Sequence, residues 1–94
     1  MPTRNYIRAN KYRAFANWVK VGCGCNRCGY NANPAALEFD HIDRQTKEFN
    51  VGGMMYSSFD KITKEMQKCN VLCANCHKIK SVEEHKEYYK TIRV

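Results

Sequence analysis

Two cysteine pairs, Cys25-Asn26-Arg27-Cys28-Gly29 and Cys73-Ala74-Asn75-Cys76, carry the most specific chemical spacing in this sequence. Two residues between thiolates let one tight turn aim both sulfurs at a single ion, and Gly29 permits the backbone to curl around it. Four such sulfurs complete a tetrahedral zinc site. No position is then left open for water, so the ion holds the chain together and does no chemistry itself. In a small domain that is decisive, because structural zinc contributes apparent free energies on the order of 10 to 16 kcal/mol in peptide systems. Two cysteines are left over. Cys23, two residues before Cys25, offers a less usual C-x-C bite, and Cys69 falls on an apolar stripe as a small buried hydrophobe.

A second set of residues could bind a cation and move a proton. Asp40 and His41 follow the alternating pair Leu37 and Phe39, and His77 directly follows the last cysteine. An imidazole with an ordinary pKa of about 6.5 can take a proton from water near neutrality. A carboxylate with one imidazole leaves a divalent cation open to water and to phosphate oxygens. His77 falls in the first turn of a zinc-anchored helix, so a strand carrying Asp40 and His41 that packs there brings three polar groups together. Neighbouring strand side chains point to opposite faces, so Asp40 and His41 can serve one centre only from two sides of it or where the strand ends. The polar run DRQTKE that follows makes a strand end credible.

The elements that must position these residues read as follows. Residues 3 to 20 form a basic amphipathic helix, with Ile7, Ala14, Phe15, Trp18 and Val19 as its apolar stripe and Arg4, Arg8, Lys11 and Arg13 largely elsewhere. VGCGCNRCGYNANPAA is a turn-dominated loop, and LEFDHI a short strand. A hairpin-like excursion with a second strand through Glu48 to Val51 fits the segment before Gly52-Gly53. A short helix then carries Phe59, Ile62, Met66 and Cys69 on one side, with Ser57 and Asp60 as a capping box. The last segment is helical, and Ser81 with Glu84 either caps a separate helix or lies inside one long one.

Composition sets the class. Ninety-four residues make one domain, with 16 Lys and Arg against 9 Asp and Glu and a formal charge of +7. A polyanion, nucleic acid first, is the expected macromolecular partner. The N-terminus MPTRNYIRANKYRAF holds no apolar run resembling a signal peptide or membrane span, so an intracellular, cytoplasmic setting without membrane contact is expected. In such a reducing setting paired thiols more often hold zinc than form disulfides.

Taken in order, Cys25-x-x-Cys28, LEFDHID with Asp40-His41, and VLCANCHKIK with Cys73-x-x-Cys76-His77 and Lys80 resemble an HNH endonuclease, of the small zinc-stapled kind frequent in bacteriophage genomes. These pieces span about 55 of the 94 positions. The resemblance implies an α+β fold with a small ββα-metal (treble-clef-like) core and flanking helices, stapled by a four-cysteine zinc. The helix of residues 1–21, the core of 22–80 and a C-terminal helix of 81–94 then make up one nuclease domain. It further implies that Asp40 and His77 bind a catalytic magnesium or manganese ion and that His41 is the general base in DNA phosphodiester hydrolysis. Arg44 and Lys80 would neutralise phosphates, whereas Lys78 reads as an exposed helix lysine. A monomer or weak dimer is expected, working alone or beside phage DNA-packaging proteins.

The sequence departs from the family pattern in two places. The middle Asn, which in many members precedes the last ligand by about nine positions and fixes the loop holding the base, is Lys68 here. Asn50 and Asn70 are the nearest substitutes, and Asn75 reads as a turn or cap residue between two zinc ligands. The further His found one turn after the ligand matching His77 is Ser81, so two protein side chains are expected on the cation. His85 reads as a surface residue. The rival reading is a zinc-stapled nucleic-acid-binding module without hydrolysis, and a third is a thiol redox protein with oxidisable C-x-x-C pairs.

Overall fold

A computed structural model describes residues 3–55 and 57–85. Helix α1 spans Arg4–Cys23; the Thr3 hydroxyl accepts from the Tyr6 N–H at 3.1 Å at its start. Gly24, at φ 68°, ends it by donating its N–H to the Lys20 carbonyl at 2.8 Å, a backbone shape that favours glycine. The helix carries Arg4, Arg8, Lys11, Arg13 and Lys20 and no acidic residue.

The buried face of α1 differs from the expected stripe. Ala9 and Ala16 are buried, with Tyr12 and Phe15 packed beside them, while Ile7 and Ala14 are exposed and Trp18 is 73% exposed. The two alanines let the helix axis come close to the rest of the molecule, which leaves room inside for only the neighbouring rings. Tyr12 and Phe15 meet Phe59 at centroid distances of 5.6 and 5.1 Å, and Trp18 stacks outside Phe15 at 6.1 Å.

The loop after α1 ends in a 3₁₀ turn, Pro34–Ala36, capped by the Asn33 side chain, which accepts from the Ala35 N–H at 2.9 Å. Strand β1, Leu37–His41, follows as the alternation predicts. Its partner is strand β2, Cys69–Cys73, antiparallel, with Leu37 opposite Cys73 and His41 opposite Cys69. Expectation and structure part here. Glu48 to Val51 is not a strand: Val51–Met54 form a 3₁₀ turn, and Val51 is buried in the core between α1 and the next helix. The backbone N–H groups of Glu48 and Phe49, free to join a ladder in a strand, are taken by the side chain of Glu65.

Helix α2, Phe59–Met66, is capped by Ser58, which accepts from the Lys61 N–H at 3.3 Å; Ser57 is not the cap. It turns Ile62, Glu65 and Met66 inward. Cys69 lies beyond it as the first residue of β2, half-buried, its thiol donating to the Glu65 carbonyl at 3.4 Å. Helix α3, Ala74–Glu84, runs unbroken through Ser81, so no separate helix begins there. Residues 86–94 of the expected C-terminal helix lie outside the described residues.

The architecture is therefore a small α+β fold of three helices and one two-stranded antiparallel sheet among the described residues. Its core has two parts. One joins α1 to α2 through Ala9, Ala16, Val51, Met55, Ile62 and Met66; the other joins the sheet to α3 through Cys25, Leu37, Val71, Leu72, Cys73 and Cys76. Phe39 packs against both and couples them. No described helix is long and apolar enough to cross a membrane.

Candidate functional site

The sheet carries a different chemistry at each end. At the Leu37–Cys73 end, Cys25, Cys28, Cys73 and Cys76 bring their sulfurs within 4.8 Å of one another. Cys28 and Cys73 Sγ are 3.7 Å apart, against roughly 3.8 Å between sulfurs of a tetrahedral zinc site with Zn–S bonds of about 2.3 Å. The four cysteines can hold a metal such as zinc.

Each pair is shaped by its own turn. Gly29, at φ 80°, donates to the Cys25 carbonyl at 2.8 Å, and Cys25 donates to the Tyr30 carbonyl at 2.8 Å. In the second pair, the Cys73 sulfur caps α3 and accepts from the Cys76 N–H at 3.4 Å. The Asn26 N–H reaches the Val71 carbonyl at 2.8 Å and docks the first turn on β2.

Electrostatics divide the thiols. Burial works against the Cys25 thiolate, but the amides of Cys73, Cys28 and Arg27, with the Cys28 thiol, outweigh it and draw the group down to about 6. Cys76 is pushed up to about 12 by its contact with Cys73, by burial and by the other two sulfurs. A zinc held by the four sulfurs would favour the ionised form of all of them. Cys23 is exposed on the last turn of α1, outside this cluster.

At the other end, Asp40 and His41 close β1 and are each only 7% exposed. They line a cleft of about 470 Å³ with Lys20, Glu38, Arg44, Lys47, Asn50 and His77. His77 Nε2 stands 3.2 Å from Asp40 Oδ1, and His77 Nδ1 stands 3.2 Å from Glu38 Oε2. The alternation of β1 places Glu38 and Asp40 on one face, where both reach the first turn of α3. Each ring nitrogen of His77 thus faces a carboxylate oxygen, Nδ1 that of Glu38 and Nε2 that of Asp40.

His41 takes a different course. Its Nε2 lies 2.6 Å from Glu65 Oε2, and Glu65 is 2% exposed. Burial works against the Glu65 carboxylate, yet His41, the Glu48 amide, Lys68 and the Phe49 amide together hold it at about 2. An ionised carboxylate only accepts, so the hydrogen bond runs from His41 Nε2–H to Glu65.

The expected phosphate contacts are both engaged within the protein. Lys80 is bonded to Asp40 Oδ2 and lies 3.4 Å from Glu84, while Arg44 Nη2 pairs with Glu84 Oε2 at 2.8 Å. Lys78 and His85 are exposed. Asn50 precedes the 3₁₀ turn Val51–Met54 without a side-chain cap bond, and Asn70 stands opposite Asp40 in the ladder.

Glu65, Glu38 and Lys20 are the site residues that the sequence reading missed. A signal for Glu65 exists, since it interrupts the inward stripe of Ile62 and Met66 with a charge. Glu38, at i−2 from Asp40 in an alternating strand, could also have been placed. Lys20, at 5.5 Å over the Phe39 ring, comes from a helix whose approach to the sheet no local pattern announces. Comparison of the chain with protein-family models, with curated proteins and with solved structures finds no match.

Proposed function

We propose that this chain is a metal-dependent endonuclease of the HNH type, with a ββα-metal core made by β1, β2 and α3, that hydrolyses DNA phosphodiester bonds. The observation that carries the reading is the 3.2 Å approach of Asp40 and His77 in a cleft that His41 also lines. Asp40 and His77 would hold a magnesium or manganese ion. Such an ion supplies Lewis-acid stabilisation to the phosphoryl oxygens and to the departing 3′ oxygen. His41 takes a proton from the attacking water at Nδ1, and the imidazolium so formed faces the Glu65 carboxylate. Lys20 and Lys47 lie at the cleft as cations for flanking phosphates, and Arg44 would join them on leaving its pair with Glu84.

A binding module without hydrolysis is the second reading. It is favoured by one observation: Lys80 already neutralises Asp40, and Glu38 already partners His77. Supercoiled plasmid separates the two. Zinc-loaded protein with magnesium or manganese yields nicked or linear DNA with 5′-phosphate and 3′-hydroxyl ends, and a chelator that spares the zinc stops it. Tight DNA binding with unchanged plasmid in either metal would establish the binding module instead.

A further inference from the structure

We propose that Glu65 is the positioning residue of this site: one buried carboxylate fixes the His41 ring and, with the same oxygen, ties down the loop that follows β1. This rests on His41 being the general base. Glu65 Oε2 receives His41 Nε2 at 2.6 Å and the backbone N–H groups of Glu48 and Phe49 at 3.1 and 3.4 Å. Its Oε1 receives Lys68 Nζ at 3.1 Å, and that ammonium also reaches the Thr46 carbonyl at 2.9 Å. The Ile42 N–H donates to the Lys68 carbonyl at 2.9 Å, so Lys68, just beyond α2, holds the loop at its start and at Thr46, and Glu65 holds it at Glu48–Phe49.

The chemistry explains why a carboxylate stands here. Every group around Glu65 is a donor, so an acceptor with two oxygens meets all of them and an amide cannot. The carboxylate sets the tautomer of His41 and stabilises the charge that the ring acquires on taking a proton, as a buried acid does for a histidine base. The loop and the base are thus registered to each other through one side chain.

Glu65→Gln tests this. Lys68 and the two amides approach different oxygens, so glutamine must turn its NH₂ toward one of them. With its oxygen kept by Lys68, the NH₂ meets His41 and drives the proton from Nε2 to Nδ1. Nitrogen-15 spectra of the zinc-loaded protein, without DNA, read the ring tautomers of His41, His77 and His85 directly. The expected result is an Nε2–H tautomer for wild-type His41, lost in Glu65→Gln, with His77 and zinc content unchanged. In plasmid cleavage the variant should lose kcat by on the order of 100-fold while KM stays within about twofold.

A wild-type His41 protonated on Nδ1 overturns the proposal without any variant, which covers the case of a variant that does not fold. An unchanged tautomer in Glu65→Gln, or a changed tautomer with kcat retained, overturns it as well. If the wild type cleaves no DNA, the nuclease reading fails by itself. The tautomer comparison then still decides whether Glu65 fixes the ring.

Discussion

The two ends of the β1–β2 sheet use the same strands to opposite purposes. At the Leu37–Cys73 end each cysteine pair is built by a single turn, and all four sulfurs come from two short segments. At the His41–Cys69 end the site draws on β1, α2, α3 and the loop after β1, and its two histidine contacts, His41 with Glu65 and His77 with Asp40, each join separate elements. Consecutive residues divide between them: Cys76 joins the sulfurs and His77 the carboxylates. A closed sulfur site gives stability. The polar cleft, with charges held apart from one another by named partners, is where reactivity can reside.

If that division holds, breaking the sulfur end should have the largest effect. Cys73→Ser removes a zinc ligand and the cap of α3 together, and the protein should lose zinc and unfold cooperatively, on the scale of about 10 kcal/mol that structural zinc contributes. Zinc content and circular dichroism read this. Loading the apo protein should expel protons, including those of Cys28 and Cys76, both held above the usual thiol range. Calorimetry in buffers of different ionisation enthalpy counts them.

Next in size comes the core that joins the ends. Leu37 is fully buried beside the cysteines, and Leu37→Ala should cost about 2–5 kcal/mol in denaturant unfolding of the zinc-loaded protein. The polar end should respond to acid in its own way. Glu65, held near 2 against an ordinary value of 4.5, contributes stability that is present above about pH 4.5 and lost as pH falls toward about 2. The stability difference between wild type and Glu65→Gln should therefore narrow as pH is lowered through that window; a constant difference would mean that the carboxylate's charge does not matter.

Smaller effects should follow at the rim. Lys20→Gln or Lys47→Gln should each reduce the salt slope of DNA binding by about 1, read by anisotropy, while Lys64→Gln on the exposed side of α2 should not. Arg27→Gln breaks an exposed pair with Glu83 at 3.1 Å and should leave the melting temperature unchanged.

The contrast also explains what the sequence made legible. A C-x-x-C turn is local, so its spacing alone announced the sulfur end. β1 was legible from Leu37 and Phe39, and His77 from its place after Cys76. β2 was hidden because CNVLC is a short apolar run overlapping both a cysteine pair and a helix start. Glu48 to Val51 alternates like a strand, but the ladder it would need is replaced by a side chain from α2. The inward face of α1 is not legible from its bulky apolar residues, because the close approach is made through Ala9 and Ala16 while Trp18 stays outside. Glu65 shows in the sequence only as a charge inside an apolar stripe, and its role is legible only once its four donors are known.

The central claim is that the sulfur end holds the molecule while Asp40, His41 and His77 act on the phosphodiester. Single-turnover plasmid cleavage by zinc-loaded His41→Ala, beside wild type, tests it most directly. A rate lower by about 10²–10⁴-fold, with zinc content and DNA affinity intact, is the predicted result. Cleavage at the wild-type rate would contradict it.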